Sequence, residues 1–107
     1  MNNSQALTAL SSIANDTRLR MFRLLVSAGP EGMTAGGVAT AVGATPSRAS
    51  FHLANLAEAG LITSERRARQ IVYAVNFAEM GALMHYLLQD CCQGNETVRV
   101  CCTTGCC

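Results

Sequence analysis

The chain has 107 residues, half of them apolar and 14% charged, with a net charge of +1. That length holds one domain with a modest core, and the apolar content excludes wholesale disorder while suggesting a second apolar surface shared with a partner. Bulk charge excludes nothing but indiscriminate electrostatic binding, so any nucleic-acid ligand must be argued from where the eight basic residues, all arginine, sit.

The first segment, MNNSQALTALSSIANDTRLRMFRLL, has no basic leader ahead of an apolar run, and the chain nowhere approaches the roughly 18 apolar residues of a membrane span. The expectation is a cytoplasmic, soluble protein without a membrane partner. Ala6, Leu7, Leu10, Ile13 and Ala14 recur at helical spacing and predict a short amphipathic first helix. Asp16 to Ala28 is apolar on most sides through Leu19, Met21, Phe22, Leu24, Leu25 and Val26, as a central helix should be, and Gly29-Pro30 ends it.

Thr34 caps a predicted third helix running to about Val42, which Gly36 and Gly37 weaken by roughly 1 kcal/mol each. Gly43 breaks the chain. Thr45 then stands as N-cap and Pro46 as first residue of a fourth helix through Ala59, with Leu53, Leu56 and Ala57 facing inward. LITSE and QIVYAVN read as two short strands joined by Arg66-Arg67-Ala68-Arg69, a hairpin with three arginines at its tip. Asn76 and Glu79 make a capping-box-like start to a fifth helix, whose stripe of Met80, Leu83, Met84, Leu87 and Leu88 reaches Cys91 and Cys92 if continued by one turn.

The fold class is therefore mainly α with a small β-hairpin, in the order of four helices, a hairpin and a fifth helix. A helix, a glycine turn and a helix beginning TPSRASFHLANL form a helix-turn-helix, and the basic hairpin after it is a wing. The partner implied is double-stranded operator DNA. Thr45, Ser47, Arg48 and Ser50, near the start of the fourth helix, are expected to face DNA, since Ala49, Leu53 and Leu56 supply the inward face. Phe51 is either a core residue or an apolar contact to a thymine methyl, and His52 either faces DNA or packs inward against the wing. Arg66, Arg67 and Arg69 are expected to meet phosphates. Arg18, Arg20 and Arg23 are read as solvated or interface charges.

IANDTRLRMFRLL, SRASFHLANLAEAGLITSERRARQIVYAVN and the terminal helix together resemble the ArsR/SmtB family of winged-helix metal-sensing repressors, over about residues 5 to 90. The resemblance implies a homodimer built from the first and last helices, here through Leu7, Leu10, Leu83, Met84, Leu87 and Leu88. It also implies a fourth helix in the major groove. CCQGN after the last helix further resembles the arsenic-responsive branch, in which an adjacent cysteine pair and one downstream cysteine bind trivalent arsenic. This chain departs from the family in two ways. The helix before the recognition helix, TAGGVATAVG, carries no sulfur, and Val98 stands where that branch has its third cysteine, so either Cys101 or Cys102 substitutes or the chemistry differs.

All six cysteines lie in the last seventeen residues, in three adjacent pairs. A disulfide framework needs cysteines spread through the fold, and adjacent Cα atoms ~3.8 Å apart fall short of the ~4.4 Å that disulfides normally need. Reduced thiols are the expectation. Thiolates select soft, thiophilic ions, and arsenite, As(III), or antimony(III) takes three of them with a lone pair in the fourth direction. The division expected is a winged-helix DNA-binding and dimerisation domain over 1–93 and a cysteine-rich sensing tail over 94–107. Cys91 and Cys92 are the first ligands, with Cys101 or Cys102 folding back to complete the site, while Cys106 and Cys107 are assigned no role. Zinc held by four thiolates is the lesser alternative. The rivals are a sensor of methylated arsenic using two thiolates, a thiol-redox switch, and a thiol metal-scavenging protein. No convincing nucleophile and base stand together, so an enzyme is not expected.

Overall fold

Short polar side chains open each helix. In the computed structural model, which describes residues 1–88, α1 spans Asn3–Ile13, and Asn2 and Gln5 cap it reciprocally: the Asn2 Oδ1 accepts from the Gln5 N–H at 2.8 Å and the Gln5 Oε1 from the Asn2 N–H at 2.9 Å. Helix α2, Asp16–Ala28, starts at Asn15, whose side chain accepts from the Arg18 N–H at 3.1 Å. Helix α3, Ala35–Val42, and helix α4, Pro46–Glu58, start at the predicted caps Thr34 and Thr45. Helix α5, Phe77–Leu87, starts at Asn76, which accepts from the Glu79 N–H at 3.2 Å. The reciprocal half of that box is taken by tertiary structure, because the Asn76 N–H donates to the Leu61 carbonyl at 2.9 Å. Each such cap contributes ~1 kcal/mol by satisfying a donor that has no partner within its helix.

A three-stranded antiparallel sheet lies between α4 and α5 in sequence and recruits one strand from further back. Strands β2, Ile62–Arg67, and β3, Gln70–Val75, form the predicted hairpin, and the two-residue strand β1, Met33–Thr34, pairs with the other edge of β3, giving the order β1-β3-β2. Two predicted strands have thus become three. Met33 faces Tyr73 and Thr34 faces Val72, and Gly32 makes this possible: its φ is +71°, and a Cβ there would collide with the Tyr73 carbonyl. The chain reaches Gly32 through a 3-10 turn, Gly29–Glu31.

The core gathers one face from every helix. Met21 and Leu25 of α2, Val38 of α3, Leu53 and Leu56 of α4, and Leu61 ahead of β2 are fully buried, with Ala6 and Ala9 of α1, Val75 of β3 and Leu83 of α5 around them. At ~1.5–3 kcal/mol per large apolar side chain, this cluster is what seats α4. Leu19, expected in the core, is 42% exposed; α2 packs on fewer sides than its composition suggests. The boundary expected at residue 93, the tail 94–107 and all six cysteines lie outside the described residues. Within them no helix is long and apolar enough to cross a membrane.

Candidate nucleic-acid interface

The reversal between α3 and α4 is made by Gly43 in the left-handed conformation, φ +69° and ψ 30°. Its neighbour Ala44 donates to the Ala39 carbonyl at 3.0 Å, which closes the end of α3 before Thr45 opens α4. Helices α3 and α4 pack against one another across this turn, the helix-turn-helix arrangement. Four residues of α4 point inward: Ala49, His52, Leu53 and Leu56 are all buried. Ser47, Arg48, Ser50, Phe51 and Ala54 are exposed, as is the cap Thr45.

The exposed face has a polarity of charge. Arg48 lies in the first turn, at the positive end of the helix dipole, while the helix's one acid, Glu58, ends it. Dipole and side chains therefore make the N-terminal half the end that favours phosphate. Thr17, Arg20, Val42, Gly43, Ala44, Thr45 and Arg48 line a shallow cleft at this same end. Arg20, read from sequence as a solvated or interface charge, is thus placed near Arg48. It binds Asp16 at 3.1 Å in an exposed pair and donates to the Val42 carbonyl at 3.4 Å.

Phe51 and His52, left open between inside and outside, part company. Phe51 is 64% exposed, so it is no core residue, whereas His52 is 7% exposed and is turned inward. The His52 Nδ1 lies 3.3 Å from the Arg18 Nη1. A guanidinium only donates, so Nδ1 accepts and the neutral imidazole carries its proton on Nε2. Burial first, then the charges of Arg18 and Arg48, hold the His52 pKa below its ordinary value. The Arg18 Nε also donates to the Ser12 carbonyl at 2.6 Å, so this arginine, too, is structural: it ties the end of α1 to α4.

The wing differs in detail from expectation. Arg66 and Arg67 belong to β2, paired with Ile71 and Gln70, and the turn is Ala68-Arg69 alone. The ladder continues past the β-branched stretch because an exposed hairpin accommodates charged side chains. Ala68 has φ +57°, a left-handed conformation costing about 1–2 kcal/mol for a residue with a Cβ. Arg67 pairs with Glu65 at 3.1 Å, while Arg66 and Arg69 make no ion pair among the described residues.

On the first and last of the described helices, Leu7 of α1 and Met84 and Leu87 of α5 are exposed at 59%, 40% and 49%. Leu10 and Leu88 are half-buried. Leu83, expected beside them, is 5% exposed and is occupied by the chain's own core. Helices α1 and α5 pack together, with the Tyr86 hydroxyl 3.4 Å from the Asn3 Oδ1. Cys91, Cys92, Cys101 and Cys102 lie outside the described residues, and within those residues no cluster of metal-ligating side chains occurs.

Residues 13–65 match a family model described as a helix-turn-helix domain. The chain is 31% identical over 88 residues to the HTH-type transcriptional regulator YgaV of Escherichia coli, covering 82% of this chain and 87% of that one. It is 26% identical over 95 residues to the transcriptional activator HlyU of Vibrio cholerae, covering 89% and 85%. Among solved structures, an ArsR-like transcriptional regulator from Rhodococcus superposes with a TM-score of 0.68 at 23% identity, over 78% of this chain and 76% of that one. A homodimeric winged helix-turn-helix DNA-binding domain from Mycobacterium bovis gives 0.64 at 23% identity, over 87% and 86%. The antimony-specific transcriptional repressor AntR gives 0.63 at 28% identity, over 78% and 75%.

Proposed function

This chain belongs to the ArsR family of winged-helix transcriptional regulators, and we propose that it is a repressor released from its operator by As(III) or Sb(III). The observation that carries the ligand is the confinement of all six thiols to three adjacent pairs within residues 91–107. Soft thiolates suit these ions, and three thiols replace the three hydroxyls of arsenous acid with water as the by-product. Cys91 and Cys92, with Cys101 or Cys102, form the site. The similarity to an antimony-specific repressor at 28% identity supports the same reading.

On DNA, Thr45, Ser47, Arg48, Ser50 and Phe51 of α4 enter the major groove, and Arg66, Arg67 and Arg69 of the wing meet flanking phosphates. Two copies associate through Leu7, Leu10, Met84, Leu87 and Leu88, an arrangement supported by the homodimeric neighbour. Their recognition helices then address half-sites ~10 base pairs apart. Ion binding at the end of α5 favours a dimer geometry that no longer matches that spacing, and by linkage operator DNA weakens ion binding by the same factor. Moving the population from mostly competent to mostly incompetent takes a differential affinity of ~5.5 kcal/mol.

The test is a fluorescence-anisotropy titration of the reduced protein against DNA from upstream of its own gene. Micromolar As(III) should release the complex, and Cys91→Ser with Cys92→Ser should abolish the response. DNA binding indifferent to As(III) would remove the ligand from this reading. A thiol-redox switch is the second reading, favoured by similarity to HlyU, one of whose solved forms is a reduced one. Peroxide without arsenic would then release the DNA.

A further inference from the structure

A helix in a groove must still discriminate between bases, and the outer face of α4 offers one charged reader, Arg48, and one aromatic ring among small side chains. Arg48 suits the O6/N7 edge of a guanine, Ser47 and Ser50 carry hydroxyls that accept either partner, Ala54 carries only a methyl group, and Phe51 is the one large apolar side chain among them. We infer that Phe51 is a specificity-determining residue of α4, reading one thymine in each half-site by packing its ring on the C5-methyl group; this rests on the DNA-binding reading above.

Several observations converge on that ring. At 64% it is the most exposed large apolar side chain among the described residues, and it lies outside the core cluster. Ser47, Ser50 and Ala54 beside it are small, so Phe51 is the one apolar group that stands proud of this face. It is also braced: its edge contact with the His52 ring has centroids 5.5 Å apart and planes at 67°, and His52 is itself held by Arg18. A ring oriented this way loses less rotamer freedom on binding. The chemistry of the groove supplies the complement, because thymine's methyl is the one apolar group that base edges present there, and an aromatic ring has no donor or acceptor for the rest. Phe51 is also isolated. A protein partner would call for a patch, as on α1 and α5, whereas a single methyl calls for a single ring.

The experiment replaces each thymine in DNA from upstream of the gene with deoxyuridine, which deletes only the methyl, and measures binding of the full-length reduced protein. One thymine in each half-site should matter, weakening binding about fourfold for one replacement and about sixteenfold for both, the value of one methyl group removed from water. Phe51→Ala should bind more weakly than wild type and ignore these replacements, while Phe51→Leu, still apolar, should keep responding to them. Circular dichroism and sedimentation velocity should match wild type for both variants, since the side chain supports no core. A scan in which no thymine matters, or a Phe51→Ala protein as sensitive as wild type, would overturn the inference and leave the regulator reading standing. Dissociation of Phe51→Ala into monomers would overturn it in favour of a contact between copies. Failure of the wild-type protein to form any sequence-specific complex would sink both.

Discussion

Large apolar side chains meet water at several places among the described residues, and on two of these surfaces they do so in different company. On α1 and α5, Leu7, Met84 and Leu87 are exposed on two adjoining helices. On α4, Phe51 stands alone among serine, alanine and arginine. A shared apolar face matches a partner with an equal face, of which a second copy of the same chain is the simplest, because one patch then serves both sides. A single ring in a polar surround matches a ligand that is polar nearly everywhere. Exposure alone therefore says little about function; what surrounds the exposed group says more.

The contrast is open to experiment. Leu7→Asp combined with Leu87→Asp places charge in the shared face, and sedimentation should then show monomers, with operator affinity lower by at least about a hundredfold because the second half-site no longer binds intramolecularly. A dimer surviving that change would erase the distinction between the faces. Within α4 the inner and outer sides should separate just as cleanly: Leu53→Ala should cost about 2–5 kcal/mol in urea unfolding, whereas Ser47→Ala should stay within about 0.5 kcal/mol and lower only operator affinity.

A smaller effect is expected at the wing. Arg66→Ala and Arg69→Ala should each weaken binding about equally to any sequence, and flatten the slope of log affinity on log salt by about one for each phosphate left without its arginine. Arg67→Ala should do less, since Glu65 already neutralises part of that charge. Unequal effects of Arg66→Ala on different operators would move that residue from backbone contact to base reading.

The smallest effect concerns the tie between the two faces. Because His52 folds with its pKa lowered from 6.5 by burial and by Arg18 and Arg48, the unfolded chain takes up the proton first. Its contribution to stability is complete above pH 6.5, and falls as pH drops below that value and through the lowered folded one. Urea unfolding at about pH 7.5 and about pH 5.5 should show this loss. His52→Gln, which keeps an acceptor for Arg18, should reduce it; an unchanged pH profile would assign the loss to other groups.

Local signals in the sequence carried most of this architecture. Thr34, Thr45 and Asn76 are the N-caps that their neighbours predicted, Gly43 makes the turn, and Ala49, Leu53 and Leu56 form the inner side of α4. The reciprocal cap of Asn2 and Gln5 at the start of α1 is a local signal of the same kind, lying ahead of the apolar stripe that begins at Ala6. The features that escaped depend on distant partners. Strand β1 is only two residues long and exists through its pairing with Tyr73 and Val72, so no periodicity announces it. Arg18 and His52 are 34 residues apart, and nothing local reveals that a basic side chain in α2 draws a histidine of α4 inward. Leu83 shares its helical stripe with Leu87 and Met84, but only packing decides which of them the core takes. The thiols that carry the ligand assignment are legible as a pattern of residues alone.

The division of labour within α4 has an evolutionary consequence. Ala49, His52, Leu53 and Leu56 hold the helix in place, while Ser47, Ser50, Phe51 and Ala54 support nothing in the core. After a gene duplication, a daughter protein would be free to drift at those four outer positions toward a new operator, with no compensating change required beneath them.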